Sequence, residues 1–169
     1  GFCPMPLLIA MRHAKAVDRM QAEDDFDRGL TERGVADADR AAQAIEKAGL
    51  TVSHALVSPA RRTRETWKRI SASVGEPRVN DPMALYHASP DMLERAIAEQ
   101  LEDGAEAIML VGHNPGIGAL VHMLAVQAEA ASDLPYGWPT SALAGFDVRI
   151  ENKRPVATKR ILYFNPKAD

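Results

Sequence analysis

A single cysteine, Cys3, is all that this 169-residue chain carries. No intrachain disulfide can form, which fits a reducing compartment, and Cys3 itself reads as a bystander near a frayed terminus. Long apolar runs are missing too: none approaches the roughly 18–20 residues that span a bilayer. No Lys or Arg precedes Leu7 and the first apolar run stops at Arg12, so no signal peptide is expected. The expectation is a cytoplasmic protein with no membrane partner. A strong charge of one sign is also absent. The net charge of −3 gives no support for nucleic-acid binding. Residues 1–5 read as a disordered or expression-derived N-terminus and carry no functional weight.

What is present is ordinary for a soluble globular protein: 46% hydrophobic and 25% charged residues. The length predicts one domain over 1–169 with a sizeable core. Short apolar runs alternate with helical periods, the βαβ pattern of a mostly parallel sheet. Strands are predicted at 6–11, 54–57, 107–111, 142–149 and 156–164, with a weaker one near 77–80. The last two read as an antiparallel edge hairpin closing around Glu151-Asn152-Lys153. Helices are predicted at 32–48, 59–73, 90–102 and 115–127. Three of them follow Ser58-Pro59, Ser89-Pro90 and Asn114-Pro115, each read as a side-chain cap before a proline at the first helical position. The fold class is therefore α/β: a three-layer α/β/α sandwich.

Three strand ends carry chemistry. Leu7–Met11 runs into Arg12-His13, Ile108–Gly112 into His113-Asn114-Pro115, and Ala55–Val57 into Ser58-Pro59 and Arg61-Arg62. Open α/β sheets bind ligands at the carboxyl ends of their strands. Parallel neighbours would bring two imidazoles and two or three guanidiniums to one spot, a set suited to phosphoryl transfer through a histidine.

His13 is the candidate nucleophile, provided that one ring nitrogen holds the proton, for instance on a backbone carbonyl of the following loop. Arg12 and Arg62 are candidate phosphate clamps, since guanidinium forks match phosphate oxygens. Arg61, Arg62 and Arg64 cannot all reach one point from a helix, and the sequence alone does not choose among them. His113 is the partner imidazole on the transferring group. Asn114 is placed at the phosphate site and at the start of the following helix, whose amides favour an anion. His54, His87 and His122 need no role; His87, following Tyr86 just before the Ser89 cap, lies within reach of the site rim, and His122 is read as packed within an apolar helix. A metal site would need further carboxylate or thiolate ligands beside the two histidines, and arginines or helix starts there would repel a cation. No metal and no cofactor are expected. Loops 14–30 and 128–141 are long enough to be functional, and the first should border the site.

The runs Arg12-His13-Ala14-Lys15-Ala16, Ser58-Pro59-Ala60-Arg61-Arg62-Thr63-Arg64-Glu65-Thr66 and Gly112-His113-Asn114-Pro115, in this order, resemble the histidine phosphatase superfamily. Leu30-Thr31-Glu32-Arg33-Gly34 and Thr140-Ser141-Ala142 extend the likeness from Leu7 to about Phe164. The short length is most similar to the SixA-type phosphohistidine phosphatases of this phosphoglycerate mutase-like fold. The resemblance implies a phosphohistidine intermediate on His13, phosphate binding by Arg12, Arg62 and His113, and chemistry without a metal. It selects Arg62 over Arg61. Ala14 and Lys15 stand where the commoner family signature has Gly and Glu, a form shared by SixA-type members.

Larger relatives insert a helical subdomain bearing an acid for the leaving group. Only about 40 residues separate Glu65 from the strand at 107, too few for such a lid. An alcohol leaving group needs a proton, whereas an imidazole, whose conjugate acid has a pKa of ~6.5, departs with less help. The expected substrate is therefore phosphohistidine on a protein. The alternatives are a phosphatase of small phosphoesters and, in another class, a non-catalytic phosphate- or phosphoprotein-binding module. Asp18 and the Asp24–Asp27 group are where an acid would be sought. A monomer is favoured.

Overall fold

The computed structural model describes residues 5–168. Cys3 and the rest of residues 1–4, read above as a disordered terminus, lie outside the described residues. Six strands form one mixed sheet in the order β3-β2-β4-β1-β5-β6. They are β1 (Leu7–Arg12), β2 (His54–Val57), β3 (Arg78–Asn80), β4 (Ala107–Gly112), β5 (Leu143–Glu151) and β6 (Arg154–Phe164). The first four are mutually parallel. β5 runs antiparallel to β1, and β6 antiparallel to β5, giving the expected edge hairpin. Asn152 and Lys153 turn it with φ of 53° and 62°, the double positive φ that suits a two-residue hairpin.

β1 and β4 are buried on both faces, which is why they read as unbroken apolar runs. Their side chains alternate between two cores. On one face Leu8, Ala10, Ile108 and Leu110 pack with Leu93 and Ile97 of α3 (Pro90–Glu102) and with Ile117, Leu120, Val121 and Leu124 of α4 (Gly116–Gln127). On the other Ile9, Met11, Met109 and Val111 meet Ala41 and Ile45 of α1 (Glu32–Ala48) and Ile70 of α2 (Arg61–Ile70). Each fully buried Leu, Ile or Met contributes about 1.5–3 kcal/mol over an exposed one.

Helix starts follow the cap chemistry in two cases. Thr31 accepts from the Gly34 amide before α1, and Ser89 accepts from the Met92 amide before α3, with Pro90 at its first turn. Gly34 also lets α1 approach the β1 exit: an added Cβ would lie 2.2 Å from the Lys15 carbonyl oxygen.

The other two Xaa-Pro starts depart from expectation. Ser58 is not the cap of α2, because its amide still extends the ladder to the Val111 carbonyl (3.1 Å), and the helix begins only at Arg61. α4 begins at Gly116 after Pro115, with Asn114 supplying its side-chain oxygen to the Gly118 amide at 3.0 Å. His122 is exposed on α4 rather than packed, since the buried stripe of that helix is carried by Ile117, Leu120, Val121 and Leu124.

Candidate active site

β4 lies between β1 and β2, so the three chemistry-bearing strand ends are neighbours. Arg12 is registered with Gly112, and one residue further the His13 amide donates to the Gly112 carbonyl at 3.0 Å. His13 and His113 leave adjacent strands at one level. Their ring centroids are 5.3 Å apart, the planes tilted by 56°. Both side chains are buried.

The tautomer of His13 follows from its partner. Nδ1 lies 2.7 Å from the Ala14 carbonyl oxygen, which can only accept. Nδ1 therefore holds the proton and Nε2 keeps its lone pair. Ala14 is itself held, because its amide donates to Thr66 Oγ1 at 2.9 Å while the Thr66 hydroxyl donates to the Arg62 carbonyl. Burial pushes the His13 pKa down to about 3, and Arg62, Arg12 and Arg28 push the same way; the bond to Ala14 opposes them. The imidazole is neutral at pH 7.

His113 meets Ser58 Oγ through Nε2 at 2.7 Å. Ser58 Oγ also receives the Ala60 amide at 3.4 Å. Among the described residues its own proton has no acceptor other than His113 Nε2, so the hydroxyl donates there. The His113 proton then sits on Nδ1, which is buried and without a partner among the described residues. Burial first, then His13, Arg62 and His87, lower the His113 pKa to about 2, against the opposing charge of Asp25. Two neutral rings thus face each other, one offering a lone pair and the other an N–H.

Of the three arginines at the start of α2, only Arg62 is buried. Its Nη1 donates to the Asp25 carbonyl oxygen at 2.7 Å and its Nη2 to Asp25 Oδ2 at 3.0 Å. Its Nε is buried and unpartnered. Arg61 is exposed and paired with Glu65, and Arg64 is exposed with Nε on the Pro59 carbonyl. Arg12 is half-buried, with Nη1 donating to the Trp138 carbonyl at 2.9 Å and Nε unpartnered. Asn114 spends both ends of its amide within the protein, on the Gly118 amide and the Trp138 carbonyl. The structure therefore gathers His13, His113, Arg12 and Arg62, while the Asn114 side chain braces the loop. Among the described residues no group of three or more His, Cys, Asp or Glu is arranged to hold a metal ion.

Both long loops form walls of the site. Residues 128–141 deliver the Trp138 carbonyl to Arg12. Residues 14–30 deliver Asp25, whose carboxylate receives Tyr86 O–H, His87 Nε2 (3.1 Å), Arg62 and Arg28. Burial raises the Asp25 pKa, but these hydrogen bonds prevail and hold it well below the ordinary carboxylate range. Tyr86 and His87 pack on His113 with centroids 5.5 and 4.9 Å away. Sequence reasoning gave Tyr86 no part and placed His87 only within reach of the site rim. The available signal was position alone: Tyr86-His87 directly precedes the Ser89-Pro90 helix start. His87 has φ +55°, a left-handed conformation uncommon for residues other than glycine.

The model of the histidine phosphatase superfamily (branch 1) matches residues 8–84. A solved structure from Agrobacterium tumefaciens, assigned as phosphohistidine phosphatase SixA, is 31% identical. Its TM-score is 0.76, with 87% of this chain and 93% of that one covered. A second, from Nakamurella and likewise assigned, is 25% identical with a TM-score of 0.71, covering 98% and 100%. A protein of Mycobacterium leprae is 31% identical over 144 residues, 82% of this chain and 87% of its own.

Proposed function

This chain belongs to the histidine phosphatase superfamily, and we propose that it removes the phosphoryl group from phosphohistidine on a protein through a covalent intermediate on His13. The observation that carries this reading is the pairing of a neutral His13, its Nδ1 proton tied to Ala14, with His113 Nδ1 and two unpartnered guanidinium Nε atoms around it.

In this scheme His13 Nε2 attacks phosphorus as the bond to the substrate imidazole breaks. The leaving imidazole departs neutral, its far nitrogen already protonated. The transition state spreads charge over the equatorial oxygens, where positioning and electrostatics provide most of the acceleration. Arg62 offers its Nε/Nη2 edge and Arg12 its Nε, while the His113 Nδ1–H donates to the same group. Water then attacks phosphorus and the P–Nε2 bond breaks. Both water protons leave on the phosphate as dihydrogen phosphate, and His13 returns to its neutral form. The proton stays on His13 Nδ1, donated to the Ala14 carbonyl, throughout, and no step calls for a metal.

One observation favours the second reading, a phosphatase of small phosphoesters. His87 is half exposed, lies beside His113 and is oriented by Asp25, so an imidazole stands at the rim where an alkoxide leaving group would take a proton.

Comparing kcat/KM on a phosphohistidine protein with that on sugar phosphates separates the two. The first reading predicts the phosphohistidine protein as the better substrate, with turnover abolished in His13→Ala. A clear preference for sugar phosphates selects the second. Activity retained in His13→Ala rejects both.

A further inference from the structure

Arg12 forms part of the wall of a cavity of about 330 Å³ lined also by Lys15, Arg33, Asp37, Thr140 and Lys167. Four of these residues are cations, and they come from separate parts of the chain: the end of β1, the loop after it, helix α1 and the tail after β6. The lone acid offsets only one of them, Arg33. Asp37 is nearly buried and already faces Arg40 at 3.5 Å and Arg33 at 3.9 Å. Lys15 and Lys167 are exposed and make no ion pair among the described residues. In a chain of net charge −3, such a concentration of uncompensated positive charge in one concavity runs against the average. A concave site of this size suits a small anionic group more than a flat surface does. The cavity is also tied to the chemistry, because Arg12 is part of its wall and precedes His13 in the chain.

We infer that this cavity is an anion subsite: it holds a second negatively charged group of the substrate, next to the phosphoryl group attacked by His13. The inference rests on the reading of the His13 site given above. Lysine ammonium groups bind as mobile point charges and Arg33 adds a planar fork, so a carboxylate and a phosphate are both accepted. Thr140 adds a hydroxyl. On a phosphohistidine protein the second group is an Asp or Glu flanking the modified histidine; on a small substrate it is a second phosphate.

The test has a binding arm that needs no turnover. Titration calorimetry compares inorganic orthophosphate with inorganic tripolyphosphate on wild type and on the Lys15→Ala/Lys167→Ala double variant. Both lysines share the cavity wall with Arg12, but among the described residues no side-chain hydrogen bond joins either of them to His13, His113, Arg12 or Arg62. Tripolyphosphate is expected to bind wild type about 10-fold or more tightly than orthophosphate, as charge-assisted hydrogen bonds provide. That advantage should vanish in the double variant while orthophosphate affinity stays within about two-fold. Equal affinity for the two anions in wild type, or an advantage that survives the double variant, overturns the inference.

The kinetic arm identifies the source of the anion. Phosphohistidine peptides with Asp or Glu flanks should show a lower KM than peptides with Ala flanks, and the double variant should lose that difference with kcat kept. If tripolyphosphate keeps its lysine-dependent advantage but the flanks do not matter, the subsite stands and serves a small bisphosphorylated substrate. If that advantage is present and no phosphohistidine peptide is turned over, the subsite stands and the phosphohistidine reading falls.

Discussion

Asp25 grips Arg62 by one edge of its guanidinium: the backbone carbonyl takes Nη1 at 2.7 Å and the carboxylate takes Nη2 at 3.0 Å. A guanidinium has two forks, and this contact consumes the Nη1/Nη2 fork. The Nε/Nη2 fork remains for an oxyanion, and Nε is the atom left unpartnered. Asp25 thus acts as a positioning residue. Asp25→Asn keeps the backbone contact but removes the charge-assisted one, worth about 1.5–3 kcal/mol. The expected result is a kcat lowered about 10–100-fold with a smaller change in KM, by the relation between free energy and rate. If the carboxylate instead competes with phosphate for Arg62, the same variant will bind inorganic phosphate more tightly and turn over faster; phosphate inhibition constants and kcat decide between them.

Arg62→Ala should lower kcat/KM by ~10³ or more, the scale of an arginine that stabilises phosphoryl-transfer charge. Arg62→Lys should recover little of it, since a point charge cannot reproduce the fork. Arg61→Ala should change kcat/KM only a few-fold, because Arg61 is exposed and spends its charge on Glu65. Steady-state kinetics of the three variants on one substrate would check this ordering.

Thr66 is predicted to act through the backbone. Its hydroxyl oxygen is the acceptor for the buried Ala14 amide, and the Ala14 carbonyl fixes His13 Nδ1. Thr66→Val leaves that amide unpaired at a cost of about 1–3 kcal/mol. We expect a lower melting temperature and a lower kcat with KM little changed, both restored in Thr66→Ser. Failure of Thr66→Ser to restore kcat would reduce Thr66 to a packing residue.

The strand ends were legible because β1, β2 and β4 are buried and parallel, and such strands are written as unbroken apolar runs. Their order was not, yet it is the pairing of β4 with both β1 and β2 that unites His13, His113 and Ser58. Ser58-Pro59 and Ser89-Pro90 look alike as sequence. Only the ladder bond from the Ser58 amide to Val111 keeps Ser58 in the sheet and turns its hydroxyl to His113 rather than to a helix end. Asp25 was visible only as one of several acids in loop 14–30. Asp24 turns its side chain to the Asp27 amide, and Asp27 lies near Arg61, so loop geometry singled out Asp25. Tyr86 and His87 carry no motif of their own; they reach His113 through the three-dimensional path between β3 and α3.

The two histidines should also govern acid stability. In the unfolded chain both gain protons as pH falls through about 6.5. In the folded chain His13 does so only near pH 3 and His113 lower still. Between these limits the unfolded state binds more protons, so the stabilisation present above pH 6.5 is progressively lost as pH falls toward 3. Denaturant unfolding from pH 7 to pH 4 should show this loss, on the order of a few kcal/mol, and the His13→Asn/His113→Asn variant should flatten it. An identical slope in that variant would contradict the burial of two neutral imidazoles. The same depression predicts that activity is not lost to protonation of His13 between pH 5 and pH 8.

The central claim is covalent. The direct measurement is to mix enzyme with phosphoryl-labelled substrate, quench in denaturant at alkaline pH, where phosphohistidine survives, and map the label by peptide mass spectrometry. The account predicts label on His13 Nε2 that forms within the first turnover, decays as phosphate is released and is absent in His13→Ala. Turnover without any trapped label on His13, or label carried by another residue, would contradict it.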